Sequence, residues 1–574
     1  MLRRRNIIAI AFALIMAACA TVVPPAGGKI DDTPPVPKEY KPENYSRNFT
    51  KNKISIKFDE FVILDKLSQQ LIVSPEMPKK PDISIQGKKV IIRLPDSLSE
   101  NTTYTIFFGN AIVNYKENLP VSNFEYVLST GDEVDSLMIE GTLVNAFDHK
   151  PPEGAFIMLY QTYDDSIPYK NRPYYLTKIE SNGHFLLNNI HEGRYKIFAL
   201  LDMNSNYLFD QPIEEIAFID TLVEPYIDPY FLRMAPRDSA DTTHYEPPKP
   251  LNMFMFTEAV VEQNILSSKL LSSKKIRIIF AMPLKDLELS PLNLKKDTIW
   301  HFDWLSPNQD TLVTWLTGVR QDTLQIQVAD NGEVLDTLRF ILHKRKRVVK
   351  ETRRQKKQNA EAKPKPKKVP KLKYNSNARG GFPFYADITL KFTTPIIDWD
   401  PSKIKILYQR DTIIDTLDCK PYFRDPEYKM NIVIPTKFKE YAKYGLFIPD
   451  SVFYDIYGTS HDTIRRMFVT TEMREYGSLV LKVEYYDNTP LIIQLLNSKN
   501  KVLDAQVLPE SGKIVYPYLK PGDYRLKAIR DENGNGKWDT GNYLEKRQAE
   551  MTYFIEKLIS IRANWDVEQT WIIE

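Results

Sequence analysis

Cysteine is nearly missing from this sequence: 574 residues carry Cys19 and Cys419 and no other. That excludes a disulfide framework, so stability has to come from packed cores, and a chain this long can build several. The seven histidines, His149, His184, His191, His244, His301, His343 and His461, form neither a His-Glu-x-x-His motif nor another metal-ligand spacing. There is no Gly-x-Ser-x-Gly elbow, no P-loop and no Cys–His pairing for Cys419. Acidic residues are plentiful, but none can be singled out as a glycosidase pair. These absences argue against an enzyme. After the first twenty residues no run approaches the roughly 18 consecutive apolar residues of a membrane-spanning helix. Long amphipathic helices with caps are also lacking; the best short helical pattern is TKFKEYAK at 436–443, about two turns.

What is present begins at the N-terminus. Arg3, Arg4 and Arg5 precede an apolar run from Ile7 to Met16, which is shorter than the roughly 20 residues needed to span a bilayer. Small residues Ala17 and Ala18 follow. A charged start, a short apolar core and a small-residue cleavage site make a secretory signal over residues 1–18. The stretch Ile15-Met16-Ala17-Ala18-Cys19 resembles the lipobox of bacterial lipoproteins. The resemblance implies lipidation of Cys19 as the first residue of the mature chain, which would leave Cys419 without a disulfide partner. Residues 19–44 contain prolines 24, 25, 34, 35, 37 and 42 and read as an extended tether.

The remainder reads as all-β. ISIKF at 54–58 and KVIIRL at 89–94 alternate with period two, and YTIFFG at 104–109 and FEYVLST at 124–130 follow. The 32 tyrosines and 28 phenylalanines suit half-buried pleated surfaces. The chain also repeats itself. ISIKFDEFV at 54–62 is echoed by IRIIFAMPL at 276–284 and ITLKFTTPI at 388–396, each followed later by a closing strand. Strand spacing of this kind is that of a β-sandwich of about 100 residues. A second unit repeats as well: GHFLLNNIHEGRYKIFALLDMNSNYLFD at 183–210 matches GKIVYPYLKPGDYRLKAIRDENGNGKWD at 512–539. Gly183 aligns with Gly512, Gly193 with Gly522, Tyr195 with Tyr524, Asp202 with Asp531 and Asp210 with Asp539.

Several segments carry a family resemblance. PAGGKIDDTPP at 25–35, IKFDEFV at 56–62, NTTYTIFFGNAI at 101–112 and LSTGDEVDSLMIEGTL at 128–143 resemble the Ig-like-domain outer-membrane lipoproteins of Bacteroidota. The repeated Gly-x-Tyr…Asp-x-Asn-x-Asn unit resembles carboxypeptidase-regulatory or transthyretin-like β modules. The expected order is a signal peptide 1–18, a tether 19–44, an Ig-like sandwich 45–131 and a transthyretin-like module 132–225. A sandwich 250–343, a basic linker 344–374, an Ig-like sandwich 380–472 and a second transthyretin-like module 473–574 complete it. The resemblance implies an outer-membrane lipoprotein and names no reaction. Ala20-Thr21-Val22-Val23 follow Cys19 where acids often accompany surface display in that family, and the first acids are Asp31 and Asp32. Which face of the outer membrane the chain occupies is left open.

Three features invite a binding role. Asp531, Asn533, Asn535 and Asp539 occupy positions 1, 3, 5 and 9 of an EF-hand-type loop with Gly536 at position 6, so the loop is a candidate Ca²⁺ site. The twelfth position is Asn542, Glu545 comes three residues late, and the sister loop Asp202, Asn204, Asn206, Asp210 has Tyr207 in place of the glycine. The same residues also build tight turns without metal. Residues 344–373 hold 15 Lys plus Arg and 2 Glu, a net of +13, which leaves −10 for the rest of a chain with a formal total of +3. That segment reads as a disordered spacer or as a contact for an anionic surface. Trp300, Trp304 and Trp315 lie close in sequence and could stack on sugars or sit in a core. The function expected is a non-enzymatic, lipid-anchored scaffold for other envelope proteins, such as an accessory subunit of an outer-membrane assembly or export complex, with no nucleic acid. The alternative is a surface glycan-binding or adhesive lipoprotein.

Overall fold

The computed structural model describes residues 32–573 apart from 78, 96, 229–247, 261, 295–298, 344–369, 411–412 and 488. The signal peptide, Cys19 and most of the basic linker therefore lie outside the described residues. The chain divides into two compact units, Met1–Thr257 with Tyr543–Lys546, and Glu258–Asn542 with Arg547–Glu574. Strands dominate both, as the period-two patterns require. Among the described residues the α-helices are the single turns Leu67–Gln70 and Ile167–Lys170, and no helix is long and apolar enough to cross a membrane.

In the first unit a sandwich comes first. Pro37–Lys41, Lys53–Phe58, Lys89–Arg93 and Asp82–Gln86 form one sheet in that order, and Ile72–Ser74, Thr103–Gly109 and Phe124–Ser129 form the other. Alternation places Ile54, Ile56 and Phe58 inward against Ile106, Phe108 and Tyr126. A module with one continuous path of strands follows. Its sheet runs Tyr175–Lys178, Phe156–Tyr160, Lys196–Leu201, Glu215–Phe218, Leu251–Thr257, Leu137–Asn145 and His184–Ile190.

The second unit contains two more sandwiches and a second module. The middle sandwich sets Ile265–Ser272, Lys275–Phe280, Thr311–Leu316 and His301–Leu305 against Leu287–Pro291, Thr323–Asp330 and Glu333–Ile341. The next sets Tyr374–Ser376, Ile388–Phe392, Asn431–Ile434 and Tyr422–Phe423 against Ile413–Leu417, Lys405–Arg410, Lys443–Ile448 and Ile464–Val469. The last module pairs Gly512–Leu519, Gly477–Tyr485 and Asp566–Ile573 in one sheet and Val502–Leu508, Leu491–Asn497, Gly522–Arg530 and Thr552–Phe554 in another.

The repeats are reproduced down to single hydrogen bonds. In the first sandwich the Tyr104 hydroxyl accepts the Ser99 N–H at 2.9 Å, and Thr130 Oγ1 accepts the Thr102 N–H at 3.0 Å. In the last sandwich Tyr444 accepts the Lys439 N–H at 2.9 Å, and Thr470 Oγ1 accepts the Ala442 N–H at 2.9 Å. In the modules the Gly-x-Tyr tyrosines close a turn: Tyr195 donates to the His191 carbonyl at 2.8 Å and Tyr524 to the Lys520 carbonyl at 2.7 Å. Both modules end on a parallel return strand, Leu251–Thr257 beside Leu137–Asn145 and Asp566–Ile573 beside Gly477–Tyr485.

Several expected boundaries move. Leu251–Thr257, read as the opening of the middle sandwich, completes the sheet of the first module, so that module runs past 225 to 257. The tether is shorter than 19–44, because Pro37–Lys41 pairs with Lys53–Phe58. The linker stops before 374: Leu372 is buried in a core and donates its N–H to the Ser460 carbonyl at 3.0 Å, and Tyr374–Ser376 pairs with Ile388–Phe392. The helical pattern at 436–443 is instead a loop leading into Lys443–Ile448, with Phe438 buried as its anchor and the Lys439 N–H held by Tyr444. A tertiary hydrogen bond and one buried ring outweigh two weak helical turns there.

Candidate functional site: twin Asx loops clamped by buried glutamates

The two Asp/Asn loops share much of their internal wiring. In the last module Asp531 Oδ1 accepts the Asn535 N–H at 3.0 Å and Oδ2 accepts the Gly536 N–H at 2.8 Å. In the first, Asp202 Oδ1 accepts the Asn204 and Ser205 N–H groups at 3.1 and 2.7 Å, and Oδ2 accepts the Tyr207 N–H at 2.9 Å. The Asn535 amide donates to Asp539 at 2.7 Å, as the Asn206 amide does to Asp210 at 2.7 Å, and Asn533 and Asn204 make the corresponding second contacts. The structure therefore brings all four predicted side chains of each loop together. Short polar side chains bonding to backbone two to five residues ahead is the turn chemistry expected of Asp and Asn.

Tyr207 does not prevent this geometry. Ser205 and Tyr207 adopt φ values of 62° and 60°, where the sister loop has Gly534 and Gly536 at 71° and 74°. Residues with side chains held in this left-handed region cost on the order of 1–3 kcal/mol each. The Tyr207 ring recovers contact by packing edge-on against Phe156, with centroids 5.3 Å apart.

Sequence reasoning missed the residue that anchors each loop. Glu214 is 0% exposed; its Oε1 accepts the Met203 N–H at 3.1 Å, and its Oε2 accepts the Asp210 and Gln211 N–H groups at 3.0 and 3.1 Å. Glu550 is 5% exposed; its Oε1 accepts the Glu532 N–H at 2.9 Å and its Oε2 the Asp539 N–H at 2.9 Å. Burial pushes the Glu550 carboxyl above the usual carboxylate range, and the nearby Asp539 and Asp531 carboxylates add to that shift, while the two N–H donors oppose it. A usable signal existed in the sequence: each glutamate sits just before a strand, at Glu214-Glu215-Ile216 and Glu550-Met551-Thr552.

Chemically, each loop is a rigid polar turn whose oxygens are occupied by N–H donors. Among the described residues no group of three or more His, Cys, Asp or Glu side chains is placed to hold a metal ion. Two carboxylates and two amides converge in each loop, and a hard cation would have to displace the amide N–H groups from Asp539 or Asp210.

The other candidates resolve differently. Trp300 and Trp315 are 5% and 1% exposed and belong to the interior of the second unit, so they form no sugar platform; Trp304 is half-buried and meets Tyr428 edge-on at 6.3 Å. His461 is buried, its Nε2 accepting the Val452 and Phe453 N–H groups at 3.3 Å while Nδ1 lies 2.7 Å from the Asp462 carbonyl. Burial holds its pKa below the usual imidazole range. Cys419 is half-buried, and burial raises its thiol pKa.

No curated protein matches the chain. Among solved structures, titin domains share 8% identity over 47% of this chain and 93% of that one, with a TM-score of 0.12. The major pilin subunit of Bacillus cereus shares 10% over 76% and 99%, with a TM-score of 0.13. The surface layer protein SbsC, domains 1–6, shares 8% over 92% and 67%, with a TM-score of 0.14. Scores this low carry no argument about function. Residues 31–130 match the bacterial Ig-like domain family, which agrees with the sandwich seen there, and the described chain is all-β with several sheets.

Proposed function

We propose that this chain is a non-enzymatic interaction protein of the bacterial envelope. It is anchored through a lipid on Cys19 and presents tandem β-sandwiches to other proteins of the outer membrane. The signal-and-lipobox pattern supports the anchor, and the Ig-like match supports a structural or interaction role. The observation that carries the reading is a set of open sheet edges. Val502–Leu508 pairs on one side only among the described residues and none of its residues is buried, with Leu503 49% and Val507 55% exposed. Ile413–Leu417 is likewise an edge strand of its sheet, carrying exposed Ile413 and Ile414. Globular proteins usually guard such edges, and an unguarded one is a template for strand addition by a partner. An accessory role in an outer-membrane assembly or export machine is the specific form of this reading. Native purification from membranes in mild detergent is expected to bring down envelope proteins in fixed ratio. Recovery of the protein alone, together with signals on a glycan array, would replace this reading with a glycan-binding one.

A further inference from the structure

Within the first unit, the sandwich and the module that follows it are stitched together by side chains. The Leu176 N–H reaches Ser74 Oγ at 3.1 Å, Arg172 pairs with Glu76 at 2.6 Å, and the Asn189 amide meets Thr105 Oγ1 at 3.0 Å. Along this seam lies a cavity of about 150 Å³. Leu71, Val73, Met77 and Leu176 give it an apolar lining, to which Tyr207 from the first Asx loop contributes. Tyr207 holds a backbone conformation that the sister loop gives to glycine, so the first module carries a side chain where the last has none. Glu76 and Lys80 also line the cavity; Glu76 is taken up by Arg172, whereas Lys80 has no ion-pair partner among the described residues. The lining is left with one positive residue, Lys80, that has no acidic partner.

We propose that this cavity binds a small anionic amphiphile, with a ring-sized apolar group against Leu71, Val73 and Leu176 and the negative charge beside Lys80. Cavities of about 150 Å³ lined by aliphatic and aromatic residues take up benzene, so the volume suits one ring. The charge complement selects an anion over a cation of the same shape.

The test uses the full chain and ligand-observed NMR titration with phenylacetate and with benzylamine. Phenylacetate is expected to bind with a millimolar Kd, and benzylamine about two- to fivefold more weakly, the range of a solvent-exposed ion pair. Leu176→Trp and, separately, Val73→Phe fill the cavity and are expected to abolish binding in protein whose NMR dispersion shows it folded. Lys80→Glu is expected to reverse the preference between the two probes. Absence of phenylacetate binding overturns the proposal. So does binding that survives both filling variants, or an equal affinity for the two probes that Lys80→Glu leaves unchanged.

Discussion

Replacing Glu550 with alanine tests the clamp that holds the last Asx loop. The glutamate accepts two backbone N–H groups while 5% exposed. Hydrogen bonds to a charged group contribute about 1.5–3 kcal/mol each, and part of that returns when water enters a loop whose outer face is wet. The expected cost to local stability is therefore about 2–4 kcal/mol. The loop can open without unfolding the module, so the assay is hydrogen exchange on the intact chain. The amides of Glu532 and Asp539, and of Asn535 and Gly536 behind them, should exchange about 30- to 1,000-fold faster. Residues 202–210 should not change, because they hang on Glu214. Glu214→Ala should give the reciprocal result, at equal or larger cost, since Glu214 accepts three N–H groups. Unchanged protection in either loop, or loss of protection in both loops from one substitution, would refute the clamp.

Four further outcomes are expected. Tyr524→Phe removes the hydroxyl that closes the turn on the Lys520 carbonyl and should lower stability by about 1 kcal/mol in chemical denaturation; no change would mean the bond is matched by water. His461 is buried neutral, with its pKa below the unfolded value of 6.5, so the unfolded chain binds more protons as pH falls beneath that value. Stability is full above pH 6.5 and should decline as pH drops through the folded pKa, and His461→Gln should flatten that slope in pH-dependent melting. With the Asp531 and Asp539 oxygens already accepting N–H groups, melting curves in millimolar calcium and in EDTA should coincide; a rise in melting temperature with calcium would show that Asp531, Asn533, Asn535 and Asp539 hold the metal instead. Cys19→Ser should release the chain from the membrane fraction, and retention would contradict a lipid anchor.

Much of the fold was legible because the strands are short and amphipathic. Lys53–Phe58, Lys275–Phe280 and Ile388–Phe392 show apolar side chains inward and polar ones outward, as their spacing requires. The module repeat was legible because Gly-x-Tyr and the Asp/Asn loop keep fixed distances. The clamping glutamates were hidden by spacing: Glu214 follows Asp210 by 4 residues, whereas Glu550 follows Asp539 by 11. The closing strand Leu251–Thr257 pairs in parallel with Leu137–Asn145, a partner about a hundred residues earlier, and no local pattern encodes such a return. Its alternation is the same as that of a strand that opens a sandwich. The tryptophans could not be assigned between core and sugar platform from sequence for a related reason, since proximity along the chain carries no information about the face of the sheet on which each ring lies.

The most direct test of the central claim is site-specific photocrosslinking in living cells, with p-benzoylphenylalanine in place of Val507 or Leu503 on the open edge strand Val502–Leu508. The account predicts one or a few defined adducts with envelope proteins, and none when the probe replaces Leu481 in the core of the same module. Edge positions that yield no adducts in membranes would contradict it.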